Sequence, residues 1–251
     1  MKLEGNTILV TGGGSGIGRA LAEAFHARGN QVIVSGRRRD VLETTVKANP
    51  GMDFVEMDVS SPESITAGVA RVLERHPSLD VLVNNAGIMK IDDVATTVDD
   101  ELLVSTVATN LLGPMRMTGA LVEHFKNQPK AAIINVSSAL GFVPLSWSAV
   151  YSSTKAAMHS YSLSLRYKLK GTRVEVIELA PPWVQTDLLG PENRSDARAM
   201  PLDQYMAETM SLLERGDLEV VVERAKPLRN NVGPDESKFV NELNDMVGAP
   251  A

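Results

Sequence analysis

Hydrophobic positions along the chain fall into short β-branched runs that alternate with longer stretches at helical spacing. Thr7–Val10, Gln31–Val34, Phe54–Met57, Val81–Val83, Ala132–Val136 and Val174–Leu179 read as strands. Between them, Ile17–Arg28 closed by Gly29, Val41–Ala48 closed at Asn49–Gly51, a segment opening at Pro62, residues 99 to 126, and Tyr151–Leu169 read as helices. Pro62 suits a first helical turn, where its missing N–H is not needed. The strands show no polar alternation, as expected of strands covered on both faces. Repeated β-then-α units imply right-handed crossovers and hence an α/β fold: a doubly wound parallel sheet in three layers, one domain over residues 1–251. Ligands of such sheets lie beyond the carboxyl ends of the strands, so the loops there are where chemistry is expected.

After Pro181-Pro182 the regularity weakens. Gly190, Pro191, Asn193 and Pro201 mark a surface excursion, at about 187–215, able to close over a ligand. Asp203–Arg215 reads as a helix within it, Glu219–Val222 as a last strand, and the tail from Gly233 as polar.

Composition narrows the chemistry. A chain of 251 residues with 43% hydrophobic content can bury one sizeable core. It has no cysteine, which removes disulfides, thiolate nucleophiles and thiolate metal sites. Its four histidines, His26, His76, His124 and His159, show no ligand spacing, so no metal is expected. A net charge of −6 argues against nucleic acid or an anionic membrane as partner. The N-terminus has only the short apolar run Ile8–Val10, no stretch approaches a membrane span, and the cytoplasm is the expected location.

The first strand runs into Thr11-Gly12-Gly13-Gly14-Ser15-Gly16-Ile17-Gly18, followed by a helix. Glycines there allow a tight turn and close approach of a pyrophosphate, whose charge the helix N-terminus favours, so Gly12, Ser15, Gly16, Ile17 and Gly18 are candidate cofactor contacts. The second strand leads into Ser35-Gly36-Arg37-Arg38-Arg39, with no carboxylate before Asp40. An acidic side chain at this point serves ribose hydroxyls, whereas arginine serves a 2′-phosphate. NADP(H) is therefore expected in preference to NAD(H), with Arg37 and Arg38 on the phosphate, while Arg39 fits a solvated helix face. Asp58-Val59 either flanks the adenine or caps the helix of Pro62. Asn84-Asn85-Ala86-Gly87 is a strand-end turn whose small residues, with Asn84, can meet the cofactor and whose amides can tie adjacent strands.

Tyr151 and Lys155 lie four residues apart, on one helical face. Lowering a phenol's pKa by ~3 units needs about 4 kcal/mol, attainable where a lysine ammonium, a cationic nicotinamide and low dielectric act together. Such a tyrosine gives a proton to a carbonyl oxygen, or takes one from an alcohol. Ser137-Ser138 ends the fifth strand at the same sheet edge, where a hydroxyl can bond the substrate oxygen. Asn110, ahead of the Gly113-Pro114 break, can hold a water or kink its helix.

Thr11-Gly-x-x-x-Gly-x-Gly18, Asn84-Asn-Ala-Gly87, Asn110, Ser138 and Tyr151-x-x-x-Lys155, in this order, resemble the classical short-chain dehydrogenase/reductase family over roughly residues 5 to 190. The resemblance implies a Rossmann-type fold in which Tyr151 is the acid/base, Ser138 orients the substrate, Lys155 lowers the tyrosine pKa and holds the nicotinamide ribose, and Asn110 keeps a proton-relay water. It also implies a homodimer or homotetramer built on the helices at 99–126 and 151–169. The family's usual Pro-Gly after the sixth strand is here Pro181-Pro182, and proline has neither glycine's backbone freedom nor an N–H. Val184 and Thr186 keep the Val-x-Thr that meets carboxamide and phosphates. The double proline, with Val221-Val222-Glu223-Arg224-Ala225-Lys226, looks similar to a bacterial subgroup, the DltE-like oxidoreductases.

The expected activity is a carbonyl reductase or alcohol dehydrogenase acting on a small molecule, its pocket lined by Phe142, Leu145, Trp147, Trp183 and Leu188 unless these merely pack the loops. A redox sensor that binds NADP(H) without turnover, and a lyase or epimerase of the same family, are the alternatives.

Overall fold

A computed structural model describes residues 1–231 and 233–248. Seven parallel strands form one sheet in the order β3-β2-β1-β4-β5-β6-β7, comprising β1 (Thr7–Thr11), β2 (Gln31–Gly36), β3 (Asp53–Glu56), β4 (Val81–Asn84), β5 (Ala131–Val136), β6 (Val174–Leu179) and β7 (Glu219–Val220). The order reverses at β1, next to β4, which opens a crevice at the carboxyl edge. The apolar runs explain the layers: every residue of β1, β4 and β5 is buried, because helices cover both faces. One core, with Ile8, Val10, Phe25 and Tyr205, lies on one face of the sheet, and another, with Leu9, Ile33, Leu82, Met117 and Phe125, on the other. Alternate residues of β1 thus feed opposite layers.

The helices are α1 (Gly16–His26), α2 (Arg39–Ala48), α3 (Pro62–Arg75), α4 (Asp100–Val107), α5 (Gly113–Lys126), α6 (Ala149–Lys168), α7 (Leu202–Glu214), α8 (Lys226–Arg229) and α9 (Glu236–Val247). Among the described residues no helix is long and apolar enough to cross a membrane.

Four differences from the sequence-based expectations matter. The long helix at 99–126 is interrupted, since Ala108–Leu112 forms a π-turn in which Gly113 N–H reaches back to Ala108 O. Pro114 has no N–H to offer the Asn110 carbonyl one turn earlier, so the ladder must widen there. Ser61, rather than Asp58, caps α3, accepting the Ser64 N–H at 3.1 Å with Pro62 at the first turn. The last strand stops at Val220, and Glu223–Ala225 turns into α8. Finally, the tail contains α9, whose Phe239, Val240 and Leu243 pack on Phe142 and Val143. Those spacings are an amphipathic stripe, hidden by the charged residues between them.

Candidate active site

One cleft of about 710 Å³ runs along the carboxyl edge of the sheet. The glycine turn forms its floor. A Cβ on Gly12, whose φ is +67°, would stand 2.9 Å from Ala86 Cα, and one on Gly18 would stand 2.2 Å from Asn85 Nδ2. The turn is therefore pressed against the loop after β4, and side chains there would fill the cradle a pyrophosphate needs. Thr11 stitches the two together: its hydroxyl donates to Val83 O and accepts from Asn85 and Ala86 N–H. Ser15 precedes α1 without using its side chain as a cap, so the first amides of that helix are left for a ligand. The donor set thus fits a dinucleotide.

Gly12, Ser15, Gly16, Ile17 and Gly18 line this floor, as do Ala86 and Gly87 from the facing loop. Arg37 and Arg38 line the end of the cleft beyond β2, together with Asp58 and Val59 beyond β3. Asp58 folds its carboxylate onto the Ser60 N–H and hydroxyl at 2.9 and 2.7 Å. Arg39 turns away, as its solvated-face reading expects, pairing with Glu43 at 2.8 Å and lying over Phe54. Val184 and Thr186 border the cleft after β6, and Pro182 sits beside them.

Asn84 is a correction. Its side chain is buried and donates to Asn135 Oδ1 at 2.9 Å, tying β4 to β5, so it does not border the cleft. The next residue does, because successive side chains at a strand end point to opposite sides: Asn85 faces the glycine turn and donates to Thr11 O at 3.0 Å. Asn110 also stays behind the cleft wall. Its Oδ1 accepts Ile88 N–H at 2.9 Å and its Nδ2 donates to Ile88 O at 2.8 Å, so the side chain clamps the loop after β4.

Ser138, Tyr151 and Lys155 meet at the centre of the cleft. Ser138 Oγ accepts the Leu140 N–H, which fixes the tight turn Ala139–Gly141. Gly141 lies so close to α6 that a Cβ there would be 2.9 Å from the Lys155 backbone, and this contact sets the serine against the helix carrying the tyrosine. Tyr151 is buried; burial pushes its phenol up to about 12, partly opposed by a hydrogen bond from Ser138. Lys155 Nζ lies 5.5 Å from the Tyr151 ring centroid and donates to Val136 O at 2.8 Å. Burial pulls this ammonium down to about 8, with Glu178 acting against the fall.

The start of α6 is held from outside the helix. Asp92, in the loop after β4, accepts the Ala149 and Val150 N–H groups. Beside Ser138, Tyr151 and Lys155, the side chains of Leu145, Trp147, Trp183 and Leu188 line an apolar part of the cleft, to which α8 and α9 add Leu228, Leu243 and Val247. Phe142 is a second correction: it packs with α9 and meets His159 edge-on, outside the cleft.

The model of the short chain dehydrogenase family matches residues 6–197. The chain is 36% identical over 249 residues to the oxidoreductase DltE of Bacillus subtilis (strain 168), covering 97% of this chain and 98% of that one. It is 32% identical over 192 residues to the NADP-dependent 3-hydroxy acid dehydrogenase of Schizosaccharomyces pombe, 74% of each chain. A short chain dehydrogenase from Burkholderia cenocepacia J2315, solved in complex with NADP, matches the fold with a TM-score of 0.84 at 27% identity, over 97% of this chain and 99% of that one. With the order of the sheet, the glycine turn at its switch point and the serine, tyrosine and lysine gathered in one cleft, these matches have one meaning: the chain belongs to the short-chain dehydrogenase/reductase family of oxidoreductases, with a DltE-like character along nearly its whole length.

Proposed function

We propose that the protein is an NADP(H)-dependent carbonyl reductase, working reversibly between a ketone or aldehyde and the corresponding alcohol. The observation that carries the cofactor reading is the pair Arg37 and Arg38 at the cleft end beyond β2, in a loop without a carboxylate before Asp40. Two cations there match the charge of a 2′-phosphate, which a carboxylate would repel. The NADP-bound Burkholderia structure and the NADP-dependent yeast relative support the same choice.

A nicotinamide bound in the cleft supplies or accepts the hydride. Tyr151 gives its phenolic proton to the carbonyl oxygen during reduction and recovers one from the alcohol in reverse. Ser138 donates a hydrogen bond to that oxygen, which steadies the charge developing on it. Lys155 holds the nicotinamide ribose and, as a buried cation, favours the phenolate that burial alone disfavours. Asn110 fixes the loop carrying Gly87 and Ile88, and from this place behind the cleft wall it keeps the proton-relay water. The apolar wall of Leu145, Trp147 and Trp183 favours an apolar or aromatic substituent on the carbonyl. The chain acts as a homodimer or homotetramer in the cytoplasm.

The test is an NADPH-oxidation screen over ketones, aldehydes, diketones and sugars, with NADH in parallel. At least one carbonyl is expected to consume NADPH, and Tyr151→Phe to lose turnover by about a hundredfold or more, the usual scale of acid/base catalysis. A panel without turnover, or a Tyr151→Phe variant at near-full rate, would remove the reading.

A further inference from the structure

β6 carries a fully buried carboxylate, Glu178, between the apolar Ile177 and Leu179. A charge in such a place is tolerated only when it is paired and hydrogen-bonded. Glu178 Oε1 accepts the Ser137 hydroxyl at 2.5 Å, and Oε2 accepts from His159 Nδ1 at 2.8 Å. Both partners adjoin the catalytic trio. Ser137 immediately precedes Ser138, and its N–H binds Leu179 O at 2.8 Å. His159 follows Tyr151 and Lys155 at four-residue steps, so the three side chains share one face of α6.

His159 is enclosed in turn. Glu219 Oε1 lies 3.9 Å from its Nδ1 and is itself paired with Arg229 Nε at 2.8 Å. The Phe142 ring meets the imidazole edge-on at 5.0 Å, and the Arg229 guanidinium lies over the Phe142 ring. The charged and titratable groups facing this region are therefore Lys155, His159, Glu219 and Arg229. His159, Glu178 and Glu219 come within 4.8 Å of one another, a spacing a metal ion could bridge, but Arg229 already supplies Glu219 with a cation.

Lys155 gives the carboxylate its use. The ammonium is buried, and its one hydrogen bond among the described residues goes to the neutral Val136 carbonyl. The next residue, Ser137, holds Glu178 Oε1, and His159, one turn beyond Lys155 on α6, holds Oε2. The two buried groups of opposite sign thus stand about the same strand end without a direct ion pair, and the carboxylate opposes the desolvation of the ammonium. We propose that Glu178 is a positioning residue of the catalytic centre: its carboxylate, oriented by His159 and Ser137, is the counter-charge of the Lys155 ammonium. The assignment rests on the Tyr151–Lys155 reading of the reaction and adds what sustains its cation. The same carboxylate tethers the strand end from which Ser138 projects.

The test reads Lys155 itself, in the full chain and without turnover. In protein isotope-labelled at lysine Cε, the Lys155 resonance, assigned by its loss in Lys155→Met, is followed by NMR against pH. In Glu178→Gln its midpoint is expected to fall by about one pH unit, the shift a lost neighbouring charge produces. His159→Asn, which keeps a donor near Nδ1, is expected to hold the wild-type midpoint, and His159→Leu to lower it. An unchanged midpoint in a folded Glu178→Gln overturns the proposal. Should thermal melts show that variant unfolded, equal midpoints in His159→Asn and His159→Leu overturn it instead. A wild-type protein without NADPH turnover would sink the reductase reading while leaving these midpoints readable, and turnover with unmoved midpoints would sink only the role of Glu178.

Discussion

The Asp92 carboxylate accepts the Val150 N–H at 3.0 Å, one residue before Tyr151. Its other oxygen accepts the Ala149 N–H, while the Asp92 N–H donates to Trp147 O at 2.9 Å. Ser148, at the N-cap position itself, supplies no side-chain cap, so the loop after β4 caps α6 from a distance and fixes where the tyrosine starts. Asp92→Ala is expected to lower stability by about 1–2 kcal/mol through loss of the cap and of a charge at the positive helix end. In a chain of this size that is a Tm drop of roughly 2–8 °C. Turnover should fall with little change in cofactor affinity, and Asp92→Asn, which keeps one acceptor, should lose less. Melting curves and steady-state kinetics on the three proteins check this.

Arg37 and Arg38 border the cleft while Arg39 is occupied by Glu43. If the first two hold a 2′-phosphate, each Arg→Ala change removes a charge-assisted hydrogen bond worth about 1.5–3 kcal/mol, at least tenfold in NADPH affinity. NADH affinity should stay nearly constant in both variants, and Arg39→Ala should leave both cofactors unaffected. Titration calorimetry with the two cofactors separates these outcomes, and tighter binding of NADH than NADPH by the wild type would contradict the cofactor assignment.

Leu163 and Tyr167 stand one turn apart on α6 and are 47% and 68% exposed, with Val104 of the adjacent α4 at 59%. Apolar side chains in this number on a helix pair suit burial against a second copy. Wild-type protein is expected to run as a dimer or tetramer in light scattering, and Leu163→Glu combined with Tyr167→Glu to run as a smaller species. A monomeric wild type would refute the arrangement.

What the sequence made legible follows from how local each signal is. The strands of the sheet, the glycine turn and Tyr151-x-x-x-Lys155 are each written in contiguous residues, and the structure brings the glycine turn, Tyr151 and Lys155 to one cleft at the carboxyl edge of the sheet. Asn84 was misjudged because period-two alternation decides which of two adjacent asparagines faces a ligand, and Asn135, fifty-one positions away, takes the first. Asp92 left no trace because its cap joins residues 57 and 58 positions apart. The helix α9 had a readable signal in Phe239, Val240, Leu243 and Val247, but short apolar steps among many charges resemble a solvated tail until a surface exists for them to pack on.

Lys155 should cost the fold stability in exchange for the cation. Its folded-state value of about 8 lies below the ordinary 10.5, so between those values the unfolded chain binds more protons than the folded one. Stability then rises with pH across that window, and the whole penalty of burying the ammonium is present at pH 7 and below. Lys155→Met removes the buried ammonium, but it also removes the hydrogen bond to Val136 O and leaves the buried Glu178 carboxylate without that counter-charge, so at neutral pH the effects oppose one another. The variant is expected to lose reductase activity and to lack the rise of stability with pH between about 8 and 10.5 that the wild type shows. The Tm of the variant minus that of wild type should therefore fall as pH is raised across this window, as melting curves at stepped pH will read. A difference that stays constant with pH would contradict the lowered lysine.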